Sequence, residues 1–262
     1  MDATTPETPK SAELSLPQAF LLLATNDNDG KPAVPVFALR TTVAGAILAE
    51  LDLLGAIELQ GKNVRATGAA PQTDFQRELE QIRGKSRPHT PKRWVSMLEG
   101  RAEVQRVYEQ MAARGIVEQV GERHLGLFKS TRYPEKDHGP EAALLQEIEA
   151  ALGGAQAEPA KAEPEANGAK PEATGAKPEV EAPESEAPGA KPESPRAPGA
   201  QASDPRITAL IALLHAAGLF GKLFPAADRT RAGELAKDYW PARAVEDELR
   251  MIRLAQEEAA TL

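Results

Sequence analysis

Cysteine is absent from this chain. Its absence excludes disulfides, thiolate metal sites and cysteine nucleophiles, and it fits a reducing compartment. Aromatic residues make up only 4% of the total, so leucine, isoleucine, valine and alanine must fill most of any core. No apolar run approaches the roughly 18–20 residues that a membrane span needs. The first residues, Met1–Glu13, hold acids, prolines and Lys10 without an apolar stretch, and are not expected to act as a signal peptide. The four histidines, His89, His124, His138 and His215, include no two at metal-ligand spacing. No phosphate-binding loop, dinucleotide fingerprint, nucleophile elbow or zinc-protease motif is present. Asp27 and Asp29 share a turn but lack the remaining ligands of a calcium loop. The chain is therefore read as a non-enzyme, with no cofactor, metal or catalytic residue expected.

What is present supports a real core, since 41% of the 262 residues are hydrophobic and 27% are charged. A formal net charge of −8 opposes general attraction to nucleic acid or anionic membranes, which leaves electrostatics to local basic patches. The composition changes sharply after Leu152. From Gly153 to Ser203 the chain is Ala, Pro, Glu, Lys and Gly, with no aromatic residue and a recurring unit, as in Gly168-Ala169-Lys170-Pro171-Glu172 and Gly189-Ala190-Lys191-Pro192-Glu193. Such a segment cannot bury enough apolar surface to offset its ordering entropy, and its prolines favour an extended tether. The expected plan is a disordered N-terminus over 1–13, a first domain part over 14–152, a disordered linker over 153–203 and a second part over 204–262. The second part is near the lower size limit for an independent core. It is expected to pack on the first, making the linker an insertion within one domain.

Local patterns predict a mainly α fold, a compact multi-helix domain with two short β-hairpins, interrupted by the disordered Ala/Pro/Glu/Lys-rich insertion. Ser15 and Pro17 open a helix through Phe20–Leu23 that stops at Asn26–Gly30. Thr41 or Thr42 opens a second, ended by Gly55, in which acids lie outside an apolar core face. A hairpin over 56–67 follows, with its turn at Gly61-Lys62-Asn63. Asp74 caps a helix through Phe75, Leu79 and Ile82. Thr90-Pro91 opens another with Trp94, Val95 and Leu98 on one face. A further helix over 100–114 is ended by Gly115, and a second hairpin spans 116–128. Residues 44–67 and 102–128 thus share one module of helix, glycine and hairpin. Glu141–Leu152 is helical. After the linker, Asp204 and Pro205 open a nearly all-apolar helix over 207–214, expected to be the central one, and two exposed amphipathic helices span 228–240 and 242–259.

Two kinds of feature bear on function. A helix followed by a hairpin suits a winged-helix reader of DNA, but the helix over 44–54 is apolar and acidic where a recognition helix should be basic. Basic residues do cluster at Lys85, Arg87, Lys92 and Arg93 beside Trp94, and at Arg101, Arg106 and Arg114. The apolar segment Val34-Pro35-Val36-Phe37 precedes Arg40. Apolar residues beside basic ones can enter a membrane interface, although a solvated face and an edge strand explain the same residues.

The motifs Leu14-Ser15-Leu16, Phe20–Leu23, Asn28-Asp29-Gly30, Ala44–Leu51, Leu54–Ile57, Trp94, Arg114–Val117, Leu127-Phe128, Asp204-Pro205-Arg206, Leu210–Leu213 and His215-Ala216 together resemble the Golgi phosphoprotein 3 family, which has bacterial, especially actinobacterial, members. The resemblance covers both ordered parts and skips the insertion. It implies phosphatidylinositol-4-phosphate binding, retention of glycosyltransferases by their cytosolic tails, and self-association through the hairpin over 116–128. The family's pocket tryptophan falls at Pro35 and its first pocket arginine at Ala44. Of its R-x-x-R pair, Arg101 matches and Val104 takes the other place. The expected lipid-facing surface is Val36, Phe37, Arg40, Arg101 and Arg106, tuned to negative charge rather than to one headgroup. The chain is thus expected to be a peripheral membrane adaptor on the cytoplasmic face of a membrane. Its expected partners are anionic, phosphoinositide-like lipid headgroups and cytosolic tails of membrane enzymes. A soluble interaction module without lipid affinity is the alternative, and a winged-helix-like nucleic-acid binder a further one, although no nucleic acid is expected as a partner.

Deleting residues 156–200 should leave the helical circular dichroism and the melting temperature almost unchanged. Closure entropy depends on loop length only logarithmically, so the deletion should shift stability by about 1 kcal/mol or less. Loss of cooperative melting would contradict this plan.

Overall fold

The computed structural model describes residues 14–124, 128–153, 204–227 and 229–260. The segments read as a disordered N-terminus (1–13) and a disordered insertion (153–203) lie outside the described residues, Gly153 excepted. Helix α1 (Leu16–Leu23) follows an extended Ser15, carries Pro17 in its first turn, and is buried throughout. The Ser15 amide donates to Gln18 Oε1 at 3.2 Å, which engages one of the donors a helix start leaves open. The chain then turns through Asn26–Gly30. A Cβ on Gly30 would stand 2.4 Å from the Pro134 backbone nitrogen, and its φ is +63°, so only glycine fits there.

Helix α2 (Val36–Leu53) starts a turn and a half before Thr41. Pro35 is its cap residue, and the Leu39 amide donates to the Pro35 carbonyl at 3.0 Å. Proline needs no amide partner at that position, which lets the helix begin there without a side-chain cap. Val36 and Phe37 therefore belong to the first turn of a helix and not to an edge strand. Every residue from Thr41 to Leu51 is buried, Glu50 included. The acids of this helix do not all lie outside, as the sequence pattern suggests.

Gly55 ends the helix region at φ +66°, and strands β1 (Ile57–Gln60) and β2 (Asn63–Ala66) pair antiparallel from Ile57↔Ala66 to Gln60↔Asn63. Helix α3 (Gln76–Arg83) is preceded by Phe75 rather than capped by Asp74, and Thr73 Oγ1 accepts the Phe75 amide instead. Helix α4 (Pro91–Leu98) is capped by Thr90 and buries Trp94, Val95 and Leu98. Trp94 is thus core, with His89 edge-on against its ring, and is no part of an exposed basic patch.

Helix α5 (Arg101–Ala113) leads through Gly115 into strands β3 (Val120–His124) and β4 (Phe128–Arg132). This hairpin sits further along the chain than its sequence pattern indicates. Ile116 and Val117 are buried, and the backbone around them pairs with the segment after β4: Glu118 N donates to Pro134 O and Lys136 N to Ile116 O, both at 2.9 Å. Gly121 accordingly stands opposite Thr131 inside the ladder and does not make the turn. Helix α6 (Gly139–Gly153) buries only Ile148 fully.

Helix α7 (Pro205–Ala216), with Asp204 Oδ1 accepting the Arg206 amide, is buried over nearly all of its length. A short α8 (Phe220–Leu223), α9 (Arg229–Lys237) and α10 (Trp240–Ala260) complete the chain. The residues before and after the insertion form one compact unit. Helix α2 is its axis, in contact with α1, α4, α5, α7 and α10. The sequence reads α10 as exposed, but its first half is core: Pro241, Ala242, Ala244, Val245 and Leu249 are buried. Val245 Cγ2 would lie 2.1 Å from a Cβ at Gly45, so glycine there lets the two helices touch.

One carboxylate joins three of these elements. Glu50 Oε2 accepts the Leu16 amide at 2.7 Å and Arg206 Nη1 at 2.8 Å, and Oε1 accepts Arg206 Nη2 at 3.0 Å. Arg206 Nη1 also donates to the Leu14 carbonyl at 3.2 Å. Removing one partner of a buried ion pair strands the other charge. Arg206→Ala should therefore lower unfolding stability by about 3–5 kcal/mol in a urea titration. A change below about 1 kcal/mol would show that the pair does not hold the two parts of the domain in register.

Candidate functional site

The N-terminal turns of α2 and α5 end on one face of the molecule, beside the Asn26–Gly30 turn and the segment that leaves β4. Between them lies a pocket of about 290 Å³, lined by Gly30, Pro32, Val36, Leu39, Arg40, Arg101, Val104, Gln105, Tyr108, Thr131 and Tyr133. Its volume is near the small end of ordinary ligand sites, which run to roughly 300–1,000 Å³. Three of the five residues anticipated for a lipid-facing surface, Val36, Arg40 and Arg101, line it. Phe37 is half-buried against the core beside them. Val36 is 52% exposed at the rim, unusual for a large apolar side chain here.

The pocket floor is rigid. The Tyr108 and Tyr133 rings stack at 4.3 Å with 1° between their planes. Thr25 Oγ1 donates to the Leu21 carbonyl at 2.6 Å, so in its 2.6 Å bond with Tyr108 the phenol is the donor. Burial raises the Tyr108 phenol to about 12, against a smaller lowering by that bond with Thr25. It stays protonated as a fixed donor. Burial also raises the Tyr133 phenol, with Glu109 adding to the rise and Arg101 opposing it.

Arg40 and Arg101 form no hydrogen bond and no ion pair among the described residues. Burial raises the Glu99 carboxyl, with a 2.7 Å bond from Thr41 Oγ1 and the charge of Arg40 opposing the rise. No acidic residue lines the pocket itself. Two guanidiniums without a hydrogen bond or ion pair among the described residues, a phenol floor and an apolar rim can accept an anionic group.

Arg106 goes elsewhere. Its Nη2 donates to Glu78 Oε1 at 2.8 Å, and the Glu78 side chain is only 1% exposed. Helix α5 turns Arg106 away from Arg101, because five positions along a helix differ by about 500°, or 140° in projection. Arg114 faces a third direction, where it donates to Gln18 at 2.7 Å in a polar cavity of about 360 Å³ that also contains Glu50 and Arg206. The arginines of that larger cavity are engaged by the fold. It offers less to a ligand than the smaller pocket does.

Sequence reasoning missed Tyr108, Tyr133, Gly30 and Pro32 as pocket residues. Tyr108 has the spacing of a core helix position, and Tyr133 and Pro32 lie in irregular segments with no period to read. Among the described residues, no helix is long and apolar enough to cross a membrane.

Arg106→Ala should destabilise the fold by about 3 kcal/mol, since it strands a buried carboxylate. Arg40→Ala and Arg101→Ala should each stay within about 0.5 kcal/mol of the parent, as substitutions of unpaired surface cations do. Chemical denaturation of the three variants checks this ordering, and a reversal would mean that Arg40 or Arg101 has a structural task.

The family model for Golgi phosphoprotein 3 (GPP34) matches residues 16–252 of this chain. A search of curated proteins finds none that matches it.

Proposed function

Because this chain belongs to the Golgi phosphoprotein 3 family, we propose that it is a non-enzymatic peripheral membrane adaptor that holds an anionic lipid headgroup between Arg40 and Arg101. The observation that carries this reading is the pocket itself: two guanidiniums without a hydrogen bond or ion pair among the described residues flank an opening whose rim is the exposed Val36. The apolar rim enters the interfacial layer while the cations meet phosphates. Each basic residue near an anionic surface contributes roughly 1 kcal/mol. The net charge of −8 opposes approach, so affinity is modest and recognition rests on charge more than on the shape of one headgroup. Phosphoinositide-like headgroups are the densest such charge.

Family membership supports the proposed adaptor role, in which a cytosolic tail of a membrane enzyme is the second ligand. The β3–β4 hairpin, with Val120 exposed, is the proposed contact between copies. Duplex recognition gains no support from the geometry, because α2, the helix of the first helix–hairpin module, has no exposed face along its central length to lay in a groove.

Co-flotation with anionic and neutral vesicles tests the lipid reading. The parent should float with anionic vesicles at low salt, ignore neutral ones, and be released at about 0.5 M salt, where screening is short-ranged. An Arg40→Ala/Arg101→Ala double variant should lose about 10–30-fold in affinity. If the parent ignores anionic vesicles at low salt, the chain is an interaction module without lipid affinity. Equal binding by the double variant would place the membrane surface elsewhere.

A further inference from the structure

Behind the pocket wall, the Asn26–Gly30 turn is zipped to the segment after β4. Tyr133 N donates to the Gly30 carbonyl at 3.3 Å and Glu135 N to the Asp27 carbonyl at 3.0 Å. This pairing brings the side chains of Asp27, Glu135 and His138 together, so that one ligand atom from each lies within 4.8 Å of the others. His138 Nδ1 is bonded to Glu135 Oε2. Glu141, in the first turn of α6, lies beside Asp27 and Glu135.

This cluster differs from a solvated acidic surface in one respect. The Glu135 side chain is only 3% exposed, and its Oε1 is shielded from water without a hydrogen-bond donor. A buried carboxylate oxygen without a donor is costly and calls for a positive partner. His138 is 74% exposed, which leaves an open path from solvent.

We propose that Asp27, Glu135 and His138, with Glu141 as a further carboxylate ligand, bind a divalent transition-metal ion of the Zn²⁺ class. Donor atoms around zinc at about 2.0–2.2 Å stand roughly 3.5 Å apart in a tetrahedron, so binding draws in the more distant ligand atoms and moves the His138 ring off its direct contact with Glu135. An imidazole nitrogen among carboxylates favours Zn²⁺ over Ca²⁺ or Mg²⁺, which prefer oxygen alone. The ion meets the unpaired Glu135 oxygen and fastens two segments separated by more than a hundred residues. Those segments carry Gly30, Thr131 and Tyr133 of the pocket wall, but the site does not depend on the lipid reading.

Isothermal titration of the metal-free full chain with ZnCl₂, with CaCl₂ and MgCl₂ in parallel, tests the proposal, with thermal unfolding as a second readout. One equivalent of Zn²⁺ should bind at micromolar or better affinity and raise the melting temperature, while Ca²⁺ and Mg²⁺ should bind at least tenfold more weakly. His138→Ala and Asp27→Asn, both at exposed positions and expected to fold normally by circular dichroism, should each weaken Zn²⁺ binding at least tenfold. Glu135→Gln should abolish it. Absence of stoichiometric Zn²⁺ binding would overturn the proposal, as would unchanged affinity in His138→Ala and Asp27→Asn, which would place the ion at other histidines. Preference for Ca²⁺ would overturn the ligand class.

Discussion

The carboxylate of Glu50 is the point on which the rest of the structure turns. It lies inside the central helix and receives the first amide of α1 and both terminal nitrogens of Arg206, the second residue of α7. Three elements distant in the chain meet at one group. A buried ion pair is not a large net source of stability, because desolvation offsets much of its attraction. Its effect is selective: any packing of α7 on α2 that slips from this register leaves two charges buried without partners. The apolar faces of α1, α2 and α7 supply the association, and Glu50 and Arg206 choose one arrangement among several that apolar packing alone would accept. Neighbouring groups register the same low polarity. Burial raises the Asp52 carboxyl, tempered by a bond with Trp240, and burial with the nearby Asp52 and Glu50 carboxylates raises the Tyr239 phenol.

Helix α2 also links this hub to the candidate site. Val36 and Arg40 lie at its start and Glu50 near its end, about 15–20 Å apart along a rigid axis. The cations that face the pocket are therefore set by the same element that anchors the core. Helix α5 makes a parallel point with its arginines. Arg101 opens to the pocket, Arg106 neutralises buried Glu78, and Arg114 engages Gln18. Three arginines on one helix and its C-terminal cap have three different physical tasks, determined by which neighbour each position presents.

The extent to which this was legible varies by residue. Ser15-Leu16-Pro17, Thr90-Pro91 and Asp204-Pro205 announced their helix starts because capping chemistry is local, and Gly55 and Gly115 announced the ends because a positive φ suits glycine. The start of α2 was missed, since Val34–Phe37 reads equally as a strand and only packing of Ala38 and Leu39 makes it helical. The second hairpin was misplaced because Ile116 and Val117 look like strand residues whose partner could lie anywhere downstream. In the candidate site, Arg101 was named from the family resemblance and Arg40 from the apolar segment before it, while Tyr108 and Tyr133 carried no such mark.

By itself the sequence determined the helix-rich class, the helix–glycine–hairpin modules and the family, because each depends on short-range spacing and on the order of apolar runs. The tertiary structure alone decided which charged residues are inside. Glu50, Glu78 and Arg106 are ordinary polar letters in an amphipathic pattern, and nothing nearby in the chain distinguishes them from solvated ones. Their partners stand 156, 28 and 28 residues away. A charge is stabilised in a core only by such a partner, and which partner arrives is fixed by the packing of whole helices rather than by any local run of residues.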